Sequence, residues 1–248
     1  MNRRLFAGVI SGIGALVMVP PPIGSARALE CTAIPAPPER SGVWDTATQV
    51  TISYYNVCTG WSWSWTDMPV DGGGYGVVFD PGDEMSTLVG SWEFNAEAAW
   101  GRGFDSLVGV YSLDESGIPE VPPLIEKPYY PPAGWTYHPW GVPIDGPVLV
   151  FVRFEGWLSP VYTSPVTDHP AAGPDGSPPA CGTCYPSPRD ANTYRVEGPL
   201  SSGWPGEPFH DGTCEAELIW DATFSSAPTG VGDRMEQESW GRLRSLFR

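Results

Sequence analysis

Between Gly74 and Gly117 the chain reads GYGVVFDPGDEMSTLVGSWEFNAEAAWGRGFDSLVGVYSLDESG. Three short β-rich runs, Tyr75–Phe79, Leu88–Phe94 and Leu107–Leu113, are broken by Asp, Gly and Pro. The last run closes on Asp114-Glu115-Ser116-Gly117, a tight-turn sequence. Runs this short, spaced by turn residues, specify antiparallel strands rather than helices. Asn95–Trp100 reads as one helical turn before Gly101 and Gly103 interrupt it.

Composition decides between a folded and a disordered chain. The 248 residues include 30 Gly and 29 Pro, a share at which disorder competes. The same chain holds 12 Trp, 10 Tyr and 9 Phe, the large apolar side chains that disordered segments lack. Their burial can offset chain entropy, so a folded, loop-rich all-β domain is expected. The predicted architecture is a two-sheet antiparallel β-sandwich over residues 29–224.

Further strands are read at Val50–Val57, Trp61–Trp65 and Pro147–Glu155, the last apolar on both faces and therefore central. Glu215–Phe224 closes the fold, with Ala216, Leu218 and Trp220 on one face. In Trp61-Ser-Trp-Ser-Trp65 the three indoles share one face. That row serves either as a half-buried core face or as a sugar-stacking platform. Residues 164–213 are long and irregular, with short edge strands expected within them.

Residues 1–28 read as a cleavable export signal. Arg3 and Arg4 form the charged start, Leu5–Val19 the apolar stretch, and Ala26-Arg27-Ala28 the small-residue cleavage pattern. Fifteen apolar-region residues are too few to span a bilayer comfortably, so no membrane span is expected. Asn2-Arg3-Arg4-Leu5-Phe6 resembles a twin-arginine signal, and Glu30 before Cys31 argues against lipidation. The expected location is secreted or cell-surface. The formal net charge of −16 repels phosphate backbones and anionic lipid, which excludes nucleic acid as a partner.

In an exported protein, cysteines pair by default. The expected bridge is Cys31–Cys58, with a second among Cys181, Cys184 and Cys214; five cysteines leave one over. Cys181, Cys184, His210 and Cys214 also form a ligand set compatible with tetrahedral zinc. No cofactor is expected; Asp80, Asp83 and Glu84 are the candidate Ca²⁺ ligands, set against the reading of Asp80-Pro81-Gly82 as first of all a turn.

Residues 118–147 hold nine prolines, which excludes a helix or a central strand. The stretch also carries Tyr129, Tyr130, Trp135, Tyr137 and Trp140. Aromatics on a stiff surface loop bind at low entropic cost, so these five are the candidate ligand-binding residues. A loop folded flat over a sandwich edge is the competing reading. Residues 225–248 form a linker and an amphipathic tail, with Trp240, Leu243 and Phe247 at helical spacing among Arg242, Arg244 and Arg248.

The pattern Val77–Phe79, Trp92–Phe94, Val108–Tyr111 and Asp114-x-x-Gly117-x-Pro119, with Val148–Phe154 returning, resembles jelly-roll accessory or adhesive domains of large secreted bacterial proteins. Cys181–Pro186 with Glu217–Phe224 looks like the closing part of such modules. Ser239–Arg248 is similar to Trp-Gly-x-hydrophobic-basic tails, which implies that the tail engages a sorting or surface-attachment factor. The resemblance brings no catalytic residues. No nucleophile elbow, zinc-protease helix or phosphate-cradling loop is present in the sequence. The expected function is a non-catalytic binding or adhesion module for an extracellular glycan or surface partner. A structural surface or matrix component is the alternative. A glycoside-hydrolase-like enzyme is the third reading, because 29 acids offer many carboxylate pairs.

Overall fold

The computed structural model describes residues 31–38, 48–66, 72–100, 104–156, 163–169, 191–210 and 215–226. The expected leader, the tail from 227 onward, Cys181, Cys184 and Cys214 all lie outside them.

The described chain is nearly all strand, in three antiparallel sheets. The largest contains, in spatial order, β12 (Glu207–Pro208), β11 (Thr193–Val196), β4 (Gly74–Phe79), β9 (Val148–Gly156), β6 (Phe104–Ser112) and β7 (Ile125–Pro128). A four-stranded sheet runs β2 (Gln49–Ser53), β13 (Trp220–Ser225), β5 (Thr87–Asn95) and β8 (Gly134–Pro143). A three-stranded sheet places β3 (Trp61–Trp65) between β1 (Cys31–Pro35) and β10 (Val166–Asp168). The single short helix is α1 (Leu200–Gly203) among the described residues.

The two larger sheets face each other as an all-β sandwich. Tyr75, Val77, Val108, Val150, Val152 and Phe154 from the large sheet join Leu88, Trp140, Trp220, Ala222 and Phe224 from the smaller one in a common core. Tyr75 meets Trp220 edge-on at 5.9 Å, and Phe79 meets Phe224 at 6.3 Å, so aromatic rings bridge the layers. Val148–Gly156 is central, as its two apolar faces predict: Val150 and Val152 enter this core, while Leu149 and Phe151 pack outward with Tyr111, Val196 and Leu200.

Several expectations shift. The indole row belongs with the core: Trp65 is buried, Trp63 packs against the core and stacks on His169 at 4.3 Å, and Ser62 and Ser64 are buried behind them. Asn95–Trp100 forms no helical turn. Its backbone groups go elsewhere: Asn95 bridges to Pro165, Ala96 N–H bonds the Ser164 carbonyl, and Ala99 N–H bonds the Pro131 carbonyl. The proline-rich stretch is not a loop throughout. It supplies β7 and β8, each at the edge of its sheet, where a missing N–H leaves no ladder partner unsatisfied.

The Cys31–Cys58 bridge is not formed. Cys31 is opposite Trp65 at one end of the β1–β3 ladder, whereas Cys58 lies beyond Trp61, which faces Pro35 at the other end. Four strand steps separate those ends by roughly 13 Å, about twice what a disulfide spans. Cys58 is disulfide-bonded. No helix among the described residues is long and apolar enough to cross a membrane.

Candidate functional site

The sequence GWTYHPWGVP of β8 alternates, and a strand sends alternate side chains to opposite faces. The five candidate aromatics are therefore sorted rather than gathered. His138 and Trp140 point into the sandwich and are buried. Trp135 and Tyr137 point outward, where Trp135 is half-buried and Tyr137 is 42% exposed.

The neighbouring strand β5 supplies the other half of this outer face. Its register places Trp92 opposite Tyr137 and Phe94 opposite Trp135. The Trp92 and Tyr137 rings lie 4.9 Å apart, and the Phe94 and Trp135 rings 5.3 Å apart edge-on. Such cross-strand pairs hold each other's orientation at little entropic cost. The Trp135 indole N–H donates to the Pro38 carbonyl at 3.3 Å, which fixes one end of the row. Beyond that end stand two more exposed aromatics, Trp100 and Tyr130, brought together by the hydrogen bond from Ala99 to Pro131.

Gly90 is what lets Tyr137 lie flat. A Cβ at this position would sit 2.3 Å from the Tyr137 hydroxyl and 2.6 Å from its ring carbons. The Gly90→Ala variant is expected to keep the wild-type melting temperature within a few degrees, because the obstructing atoms are the far end of a movable side chain. It should displace the Tyr137 ring, read as a change in its NMR ring-proton shifts. Unchanged shifts would show that the ring does not rest on Gly90.

The inner face beneath these aromatics is polar. Glu93, fully buried, accepts at Oε1 from the Tyr129 hydroxyl in a very short contact and from Asn95 Nδ2 at 2.7 Å. Tyr75 in turn donates to Asn95 Oδ1 at 3.3 Å. Burial, and after it the Glu93 carboxylate, holds both phenols well above their usual range, so Tyr75 and Tyr129 remain donors at any physiological pH. His138 Nε2 lies 3.5 Å from Glu93 Oε2, and neither atom has a hydrogen-bond partner among the described residues. Trp140 donates from Nε1 to Ser91 Oγ at 2.8 Å and carries Lys127 Nζ 4.2 Å above its ring.

Of the five sequence candidates, then, Trp135 and Tyr137 belong to the outer face and Tyr130 stands near it. Tyr129 and Trp140 serve the interior. Trp92 and Phe94 were missed as surface residues, because their alternation with Ser91, Glu93 and Asn95 resembles a core face. Val89 bulges against β13, where the consecutive Thr223 and Phe224 pair with Gly90 and Leu88, and this changes the phase of β5: Leu88 faces the core before it, and Ser91 and Glu93 do so after it. Asp80, Asp83 and Glu84 are exposed and do not converge, and no metal-holding group of acids, His and Cys occurs among the described residues. The Asp80 carboxylate instead accepts from Gly82 N–H at 3.0 Å, closing its own turn. No protein-family model, no curated protein and no solved structure matches the chain.

Proposed function

We propose that the chain is an exported, non-catalytic binding module whose ligand is an extracellular polysaccharide held on the outer face of the β5–β8 pair. One observation carries this reading. A sandwich strand ordinarily turns its large apolar residues inward and its polar residues outward. Here Trp92, Phe94, Trp135 and Tyr137 occupy the outer face, while Ser91, Glu93 and His138 are buried. Aromatics kept outside at the expense of buried polar groups fit a stacking role, because the C–H faces of pyranose rings are flat and apolar. Consecutive outward residues of a strand are spaced about 6.6–6.8 Å, so the row presents successive platforms to an extended polymer.

Binding of the mature protein to a panel of neutral and acidic polysaccharides, followed by affinity electrophoresis and tryptophan fluorescence, tests the proposal. Saturable binding with quenching is expected for at least one polymer. The Trp92→Ala/Tyr137→Ala double variant should bind at least about tenfold more weakly while melting like the wild type. Wild-type affinity in that variant would refute the site, and absence of binding across the panel would refute the function.

A further inference from the structure

A second site lies on the opposite outer surface, that of the six-stranded sheet. There a cavity of about 400 Å³ is floored by Tyr111 of β6 with Arg153 and Glu155 of β9. Val121 and Pro123 form one wall, and Leu200 of α1 forms the other. This volume falls within the range of small-ligand pockets, as does the combination of apolar walls with a few convergent polar groups.

The charge on the floor selects the ligand. Arg153 is held by Glu126: Nη2 donates to Oε1 at 2.9 Å and to Oε2 at 3.0 Å, and Nε donates to Oε1 at 3.2 Å. Its remaining nitrogen, Nη1, makes a very close ion pair with Glu155. Tyr111 adds a hydrogen bond from its hydroxyl to Glu126 Oε1 at 2.9 Å. One guanidinium thus faces two carboxylates, and most of its N–H groups are already committed. An incoming anion would find no open fork and a net negative floor. Glu155, which lines the cavity, pairs with Arg153 through Oε1 and has a side chain 51% exposed. The chain's overall charge of −16 adds a potential that concentrates cations at such a cleft.

We infer that this cavity binds a small organic cation, an amine or amidine carried on an apolar body, with the charged group at Glu155 and the body between Pro123 and Leu200. Benzamidine and benzylamine are the probes, with benzyl alcohol and benzoate as neutral and anionic counterparts of similar size. Titration followed by two-dimensional NMR should give saturable shifts for the two cations, centred on residues of β9 and α1. The counterparts should give none.

Glu155→Gln should weaken cation binding about tenfold, as the loss of a charge-assisted hydrogen bond implies. Ser201→Trp, at an exposed residue lining the same cavity, should abolish it by filling the space without touching the core. Equal binding of the alcohol, cation binding unmoved by Ser201→Trp, or no saturable shifts with either cation would overturn the inference. Polysaccharide binding at the β5–β8 face should be the same in both variants, so failure at one site leaves the other reading untouched.

Discussion

Replacing Glu93 by alanine is expected to lower the unfolding free energy by about 3–5 kcal/mol, measured as a fall in the urea midpoint at constant m-value. The carboxylate is fully buried and takes hydrogen bonds from both Tyr129 and Asn95. Its removal leaves a phenol and an amide as buried donors without acceptors, each costing about 1–3 kcal/mol, and opens a cavity beside His138. Elevated pKa values prevent the two tyrosines from adapting by ionisation. Glu93→Gln is the discriminating control. It retains an acceptor at Oε1 and offers His138 an amide donor in place of the second oxygen, so its cost should be only about 1 kcal/mol. If alanine and glutamine cost the same, the network does not act as described.

Trp140→Ala should be comparably severe, at about 3–5 kcal/mol, whereas Trp135→Ala, five residues earlier in the same strand, should cost about 1 kcal/mol. Trp140 is 7% exposed, lies in the main core, and joins the strands by its bond to Ser91. Trp135 is half-buried, packed on Phe94, and bonded through its indole N–H to the Pro38 carbonyl. Binding should divide the other way. Trp135→Ala should weaken the proposed polysaccharide affinity in a protein that still folds, and Trp140→Ala should lower the melting temperature without an equivalent loss of affinity in the folded fraction. Equal melting temperatures for the two variants would contradict the inward and outward assignment of β8.

These two residues mark the boundary of what could be read in advance. The strand positions were legible because they depend on local signals: turn residues around Tyr75–Phe79, and alternation in Trp61–Trp65, which is β3 to the residue. Val148–Gly156 announced its central place by being apolar on both faces. Which way a strand faces was less accessible. A single residue, Val89, bulged against β13, changes the phase of β5, and nothing in the composition of Leu88–Asn95 declares it. For the proline-rich stretch, the count of nine prolines correctly barred a central strand but did not reveal two edge strands. The Glu93–Tyr129 contact joins residues 36 apart and depends on both sheets being assembled. The Cys31–Cys58 pairing failed for a related reason, since sequence proximity says nothing about which end of a ladder a residue occupies.

The placement of β13 has a consequence for the order of events during synthesis. This strand is the last among the described residues, yet it lies between β2 and β5, where Thr223 Oγ1 meets Thr51 Oγ1 across 172 residues of chain. Until residues 220–225 leave the ribosome, β2 has no neighbour in its sheet, and β5 has one bare edge beside Trp92. Contacts of such sequence separation carry a high loop-closure cost and form late, so the nascent chain stays open for nearly its whole length. A product truncated before Trp220 would keep that edge permanently unpaired and prone to associate with other chains. Completion of this part of the fold is therefore signalled by β13, which closes the four-stranded sheet from within.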